Sequence, residues 1–268
     1  GRLMEGVITG VPGRQAEVIV YTAAASSDQL TARLGRSASK IVQLPRQLEV
    51  AHQIIAEDKL DILYFCDIGL EPFTYFLSFA RLAPIQCAGW GHPVTTGIST
   101  IDHFVSSRMM GPPRADEAYS ENLVQIDGIP TPIRNPAGYM TAPDQKEQNI
   151  LCPQSLFKFH PDFDALIGNI LRACPQAKLM LIQGSRREWA GLLDERFRKS
   201  IPDVIDRIGY LPRMSREDFL STLAAAPLVL DTPHYSGGLT TQEALACGTP
   251  VVTLPGRFLR GRVTTGAY

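Results

Sequence analysis

The apolar run Leu228 to Asp231 leads into Thr232-Pro233-His234-Tyr235-Ser236-Gly237-Gly238, and a segment of helical spacing opens near Thr240. A helix that begins after a glycine-rich loop presents amides with no intrahelical acceptor, and a phosphate suits them. Glu243 lies one turn into that helix, where a carboxylate can accept from both hydroxyls of a ribose. An isolated glycine pair would be read as a plain connection between strand and helix. The length and order of this pattern favour a nucleotide instead.

Two further segments carry chemistry. In Pro153-Gln154-Ser155-Leu156-Phe157-Lys158-Phe159-His160-Pro161, Lys158 sits just past a strand and before a helix. A lysine there is usually a solvated charge, yet Lys158, with Gln154 near it, falls at the carboxyl edge of a strand and would face a ligand bound there. In Gly89-Trp90-Gly91-His92-Pro93-Val94-Thr95-Thr96-Gly97, Gly91 and Pro93 define a rigid turn. It carries His92, a candidate proton shuttle or hydrogen-bond donor, although a lone loop histidine is more often structural. Asp162-Phe163-Asp164 has the form of a metal-binding Asp-x-Asp, but it follows Pro161 in the first turn of a helix, where acids complement the dipole. No ligand cluster, Gly-x-Gly-x-x-Gly, Walker lysine motif, His-Glu-x-x-His or Cys-x-x-Cys is present in the sequence, so no metal is expected and dehydrogenase, ATPase and zinc-enzyme readings are disfavoured.

The elements that must position these residues alternate in type. Ala16–Tyr21, Lys40–Leu44, Leu60–Cys66, Ile85–Ala88, His103–Ser106 and Leu123–Ile126 read as strands of a first half, with a helix at Leu48–Glu57. Asn149–Cys152, Lys178–Gln183, Arg207–Tyr210, Leu228–Asp231 and Pro250–Leu254 read as strands of a second half. Helices are expected between them at Pro161–Ala173, Arg187–Lys199, Ser215–Ala225 and Thr240–Ala246, and Ser215 with Asp218 resembles a capping box. Such alternation predicts an α/β protein with mainly parallel sheets. The stretch Asp127 to Lys146, with Pro130, Pro132, Pro136 and Pro143, places the boundary between domains 1–143 and 144–268. Two doubly wound halves would bind ligand at the carboxyl ends of their strands, in a cleft between them.

Composition bounds the partners. At 268 residues and 44% hydrophobic content the chain can build two cores. A formal charge of −1 offers no field for nucleic acid or an anionic membrane, so neither is an expected partner. The five cysteines are an odd, scattered set that predicts buried thiols rather than a disulfide framework. Without a signal-like start or a long apolar run, a cytoplasmic protein is expected, and the start at Gly1 suggests a piece of a longer polypeptide.

The Gly-Gly, Thr-Thr, Glu-Ala-Leu and Gly-Thr-Pro-Val-Val succession from Gly237 to Val252 resembles the donor-binding signature of GT-B glycosyltransferases. Leu230-Asp231-Thr232-Pro233 narrows the resemblance to the O-GlcNAc transferase family, with Gly238-Leu239 where that family commonly has His-Thr. Arg81-Leu82-Ala83-Pro84-Ile85-Gln86, the Gly91-His92-Pro93 loop and Asp67-Ile68-Gly69 resemble the family's first half. The resemblance implies a GT-B architecture of two Rossmann-like domains. It also implies a diphosphate held by Gly237, Gly238, Thr240, Thr241 and Lys158, and a ribose on Glu243. The uracil is expected near Met214, Arg216 and Phe219, although a phenylalanine on an amphipathic helix reads equally well as core. The loop Gly91, His92, Pro93 and Thr95 would face sugar and acceptor.

The expected activity is a metal-independent, inverting transfer of GlcNAc from a UDP-sugar to Ser or Thr of a polypeptide, with Lys158 and His92 as catalytic residues and no cofactor. The His form of the Gly-His-Pro loop also occurs in bacterial asparagine N-glucosyltransferases, so the acceptor and the sugar stay open. A UDP-GlcNAc 2-epimerase-like enzyme and a non-catalytic nucleotide-sugar scaffold compete with this expectation. The family's candidate base histidine lies upstream of this chain, so no general base is assigned, and a helical-repeat domain is compatible with the resemblance.

Overall fold

The computed structural model describes residues 2–11, 16–23, 29–129, 149–186 and 188–268. Two compact units divide the chain, Gly1–Arg134 and Asn135–Tyr268. The expected domain boundary at 143/144, most of the proline-rich stretch around it and Arg187 lie outside the described residues.

In the first unit the order is α1 (Arg2–Gly10), β1 (Ile19–Thr22), α2 (Gln29–Leu34), β2 (Lys40–Gln43), α3 (Leu48–Glu57), β3 (Ile62–Phe65), α4 (Pro72–Leu77), β4 (Ile85–Gly89), β5 (His103–Ser107) and β6 (Asn122–Ile126). Strands β3-β4-β5-β6 form a parallel sheet in chain order, while β1 and β2 pair as a separate parallel ribbon. Three of these helices, α1, α2 and α4, were not evident in the sequence. Helix α4 reads Pro-Phe-Thr-Tyr-Phe-Leu, a poor set of helix formers. It forms because Pro72 pre-sets the first turn and the Glu71 carboxylate accepts from the Thr74 amide at 3.0 Å.

The second unit runs β7 (Asn149–Cys152), α5 (Asp162–Ala173), β8 (Lys178–Ile182), α6 (Glu188–Ser200), β9 (Ile208–Leu211), α7 (Arg216–Ala225), β10 (Val229–Leu230), α8 (Leu239–Ala246) and β11 (Val251–Val252). All strand pairs are parallel, in the order β11-β10-β7-β8-β9. Side chains along β7 alternate between two cores. Ile150 and Cys152 join Phe163, Ile167 and Leu171 of α5 and Leu193 and Phe197 of α6. Leu151 joins Leu220 and Leu223 of α7 and Ala244 of α8 on the opposite face. Sealing both faces is what a parallel sheet requires, and each fully buried Leu or Phe stabilises the unit by about 1.5–3 kcal/mol.

The Ser215 cap forms as the sequence suggested: its hydroxyl accepts from the Asp218 amide at 3.1 Å. The shorter Asp218 carboxylate meets the Ser215 hydroxyl at 2.8 Å, where a glutamate would reach for the backbone amide. Asp164 is likewise structural: it is buried and takes two bonds from the Arg196 guanidinium, at 3.0 and 2.8 Å, and one from Ser200 at 2.9 Å. All five cysteines are free, but Cys174, at the end of α5, is exposed rather than buried. Among the described residues no helix is long and apolar enough to cross a membrane.

Candidate functional site

The chain leaves β7 outward through β8 to β9 and returns to the other side of β7 through β10. Loops leaving the carboxyl ends of β7 and β10 therefore diverge at a topological switch point, where open α/β sheets bind ligands. The first loop carries Gln154 and Lys158; the second carries Asp231 to Gly238 and feeds α8.

The second loop is organised around Asp231, which the sequence marks as the end of an apolar run and as part of Leu230-Asp231-Thr232-Pro233 but gives no role of its own. Its buried carboxylate accepts from the amides of Thr232 at 3.0 Å and Gly237 at 2.8 Å and from the Thr253 hydroxyl at 3.0 Å. Burial pushes this carboxyl above its ordinary range, against the pull of those donors. The Thr232 hydroxyl bonds to the Tyr235 carbonyl at 2.8 Å, and the Ser236 amide bonds to the Arg260 carbonyl at 2.7 Å. A loop pinned at these points holds the first turn of α8 open toward the Gln154 side.

Lys158 lies against this loop. Its ammonium donates to Gln154 Oε1 at 3.1 Å and to the Ser236 carbonyl at 3.3 Å, and stands 4.7 Å from the centre of the Tyr235 ring. Gln154 Nε2 donates to Thr240 Oγ1 at 3.0 Å, so Lys158, Gln154 and Thr240 form one chain across the two loops. Burial draws the Lys158 ammonium below the ordinary lysine range, with the negative character of Asp231 and Cys152 acting the other way. Gly237 is confined: an added Cβ would lie 2.5 Å from Gln154 Nε2, 2.9 Å from Thr240 Oγ1 and closer still to Thr241 Oγ1. Gly238 caps α8 with φ −104° and ψ −95°.

The remaining candidate residues of the second unit divide into groups. Thr241 is buried, with its hydroxyl 2.8 Å from that of Thr264. Glu243 is buried and lies 2.8 Å from the Arg216 guanidinium, which joins the start of α7 to α8. Met214 accepts at its sulfur from the Thr222 hydroxyl at 3.4 Å, and Phe219 packs against the core formed by β7, α7 and α8. The Arg216–Glu243 pair and the organising carboxylate of Asp231 were not legible in the sequence. A buried acid at the end of an apolar run, followed by a glycine loop, is the one local hint of the latter.

In the first unit, the loop after β4 is seated by two glycines. A Cβ on Gly91 would overlap the Cys66 carbonyl oxygen, and one on Gly69, at φ 95°, would come within 2.5 Å of the His92 ring. The His92 imidazole thus lies close against the backbone after β3, its Nδ1 buried without a hydrogen-bond partner among the described residues. Burial lowers its pKa, which favours the neutral imidazole. Pro93 is buried beside it. Thr95 donates to Glu121 Oε2 at 2.8 Å, and the Thr96 amide donates to Glu121 Oε1 at 2.7 Å. Glu121 was not singled out in the sequence, because its partners lie 25 and 26 residues away.

No protein-family model matches the chain. The structure is similar to an O-GlcNAc transferase of Thermobaculum terrenum solved as a lysine-to-methionine variant, with a TM-score of 0.91 and 29% identity over 99% of this chain. In sequence the chain is 24% identical over 267 residues to a probable UDP-N-acetylglucosamine–peptide N-acetylglucosaminyltransferase SPINDLY of Solanum lycopersicum, which covers 90% of this chain. It is 28% identical over 237 residues to the corresponding SEC protein of Arabidopsis thaliana, over 79% of this chain. The chain spans 27% and 23% of those two plant proteins and 52% of the Thermobaculum chain.

Proposed function

We infer that this chain, a glycosyltransferase of the O-GlcNAc transferase family by sequence and by fold, transfers GlcNAc from UDP-GlcNAc to Ser or Thr of a polypeptide, without metal at the diphosphate. The observation that carries this reading is the chain Lys158–Gln154–Thr240 at the switch point, laid against the amides that open α8.

In this reading the diphosphate lies over Gly237, Gly238 and Thr240, with Lys158 on its β-phosphate. Negative charge grows on that phosphate as the glycosidic bond breaks, so a fixed ammonium stabilises the transition state more than the bound donor. Lys158 suits the task because its present partners, an amide oxygen and a carbonyl, are neutral and leave its charge uncompensated at close range. Glu243, with Arg216 beside it, is assigned to the ribose, and Met214 and Phe219 to the base. Thr241 contributes through its backbone amide, its hydroxyl being engaged by Thr264. On the acceptor side we assign the loop Gly91 to Thr95, where neutral His92 orients the sugar or takes the acceptor proton.

The test is steady-state kinetics of the full-length protein with a peptide acceptor and UDP-GlcNAc. Lys158→Ala should lower kcat by roughly a hundred to a thousandfold, about 2.7–4 kcal/mol, with a much smaller change in KM. A raised KM with kcat intact would reduce Lys158 to a binding residue. Supplying UDP-glucose and an asparagine peptide in parallel identifies sugar and linkage by mass spectrometry.

A further inference from the structure

The sequence shows no ligand cluster, but the fold assembles one. His160 and Asp162 flank Pro161 at the start of α5, and His234 comes from the loop after β10, 72 residues beyond Asp162. One candidate ligand atom from each lies within 4.8 Å of the other two, the only such group among the described residues. His234 Nε2 is 2.8 Å from Asp162 Oδ2, and His160 Nδ1 is 3.3 Å from the same oxygen. The two imidazoles meet edge to face, 4.6 Å between centres.

We propose that His160, Asp162 and His234 form a binding site for a divalent transition metal ion of the zinc class, separate from the diphosphate cradle. Two imidazole nitrogens with one carboxylate oxygen are a borderline-soft set that suits zinc and its neighbours and not magnesium or calcium. Tetrahedral zinc with bonds of roughly 2.0–2.2 Å sets its ligand atoms about 3.4 Å apart, close to the 3.3 Å between His160 Nδ1 and Asp162 Oδ2 and somewhat wider than the 2.8 Å between His234 Nε2 and that oxygen. Small side-chain rotations suffice, provided that His160 Nδ1 gives up the Asp162 amide that now donates to it at 3.2 Å. The backbone is already committed: His234 is held at φ 67°, in the left-handed region, with its carbonyl packed against Gly261. All three side chains are about half exposed, at 51%, 64% and 53%, so water would complete the coordination. An ion here would tie the loop bearing Tyr235 and Ser236, the neighbours of Lys158, to the start of α5.

The experiment is calorimetry of chelator-stripped protein with zinc alone, then magnesium alone, in a Cys174→Ser background that removes the exposed thiol. One equivalent of zinc with micromolar or tighter affinity, and no magnesium binding, is expected. His160→Ala and His234→Ala should each weaken zinc at least tenfold, and Asp162→Asn should do so with both imidazoles kept. Circular dichroism confirms that each variant is folded. Zinc bound as tightly by the double variant His160→Ala/His234→Ala, or not bound by the parent, would overturn the site. UDP binding measured with and without EDTA separates this inference from the proposed function. Loss of UDP binding in EDTA that persists in the double variant would place a metal at the diphosphate and contradict the latter alone.

Discussion

The ammonium of Lys158 is held 3.1 Å from Gln154 Oε1 by a side chain whose other end donates to Thr240. Gln154 is therefore a positioning residue for both. Gln154→Ala should weaken UDP by roughly tenfold, about 1.4 kcal/mol, and less than Lys158→Ala does. Gln154→Glu should weaken it further still, because a carboxylate there neutralises the lysine. Calorimetric titration with UDP ranks the three variants, and a Gln154→Ala affinity equal to that of the parent would detach Gln154 from the site.

Proton linkage provides an independent test of where the diphosphate binds. Burial lowers the Lys158 pKa below its ordinary 10.5, and a bound diphosphate would raise it again. At a pH between the two values, binding must take up a proton. Enthalpies of UDP binding measured over a series of pH values up to 10.5, in buffers of different ionisation heat, should report net uptake that is absent in Lys158→Met. Identical proton counts in both proteins would place the diphosphate elsewhere.

Gly237 leaves no room for a side chain among Gln154, Thr240 and Thr241. Gly237→Ala should abolish detectable UDP binding while thermal unfolding shifts by only a few degrees, since the collision falls on polar groups of the cradle and not on the core. Retained binding would mean that the loop relaxes freely.

The roles assigned to Glu243 and Lys158 separate by ligand. Glu243→Ala should weaken UDP and uridine alike, by about 1.5–3 kcal/mol for a hydrogen bond to a charged group. Lys158→Ala should weaken UDP and leave uridine little changed. Equal losses of both ligands in both variants would merge the two roles.

Glu121 gives a pH signature. Burial pushes its carboxyl up, but the Thr96 and Thr95 hydroxyls and the Thr96 amide outweigh this and hold it below 4.5. A depressed carboxyl contributes stability that is present above its unfolded pKa and lost as pH falls through the folded one. Glu121→Gln should thus cost about 1–3 kcal/mol at neutral pH, with the gap to the parent closing as pH falls below 4.5. Denaturant melts across pH would show it; a gap independent of pH would assign the effect to packing alone.

Several elements of both units were legible because their signals are local. The helix over Leu48–Glu57 and the strand Asn149–Cys152 have the bounds their apolar periodicity implies, and the Ser215 cap and glycine-loop-helix are contiguous in the chain. Residue type and short spacing alone determined those elements, and with them the turn assigned to the phosphate. Which strands become neighbours is a different matter. Sheet order sets β10 against β7, and only that pairing brings Thr240 to Gln154, 86 residues apart, or His234 to Asp162. Glu121 carries no local mark, and nothing near Asp231 or Glu243 in the chain names the Thr253 hydroxyl or the Arg216 guanidinium that meets them, because a buried acid is made tolerable by donors delivered from other elements. Chemistry of single residues is written along the chain, whereas their pairing depends on sheet order and packing, which the tertiary structure decided.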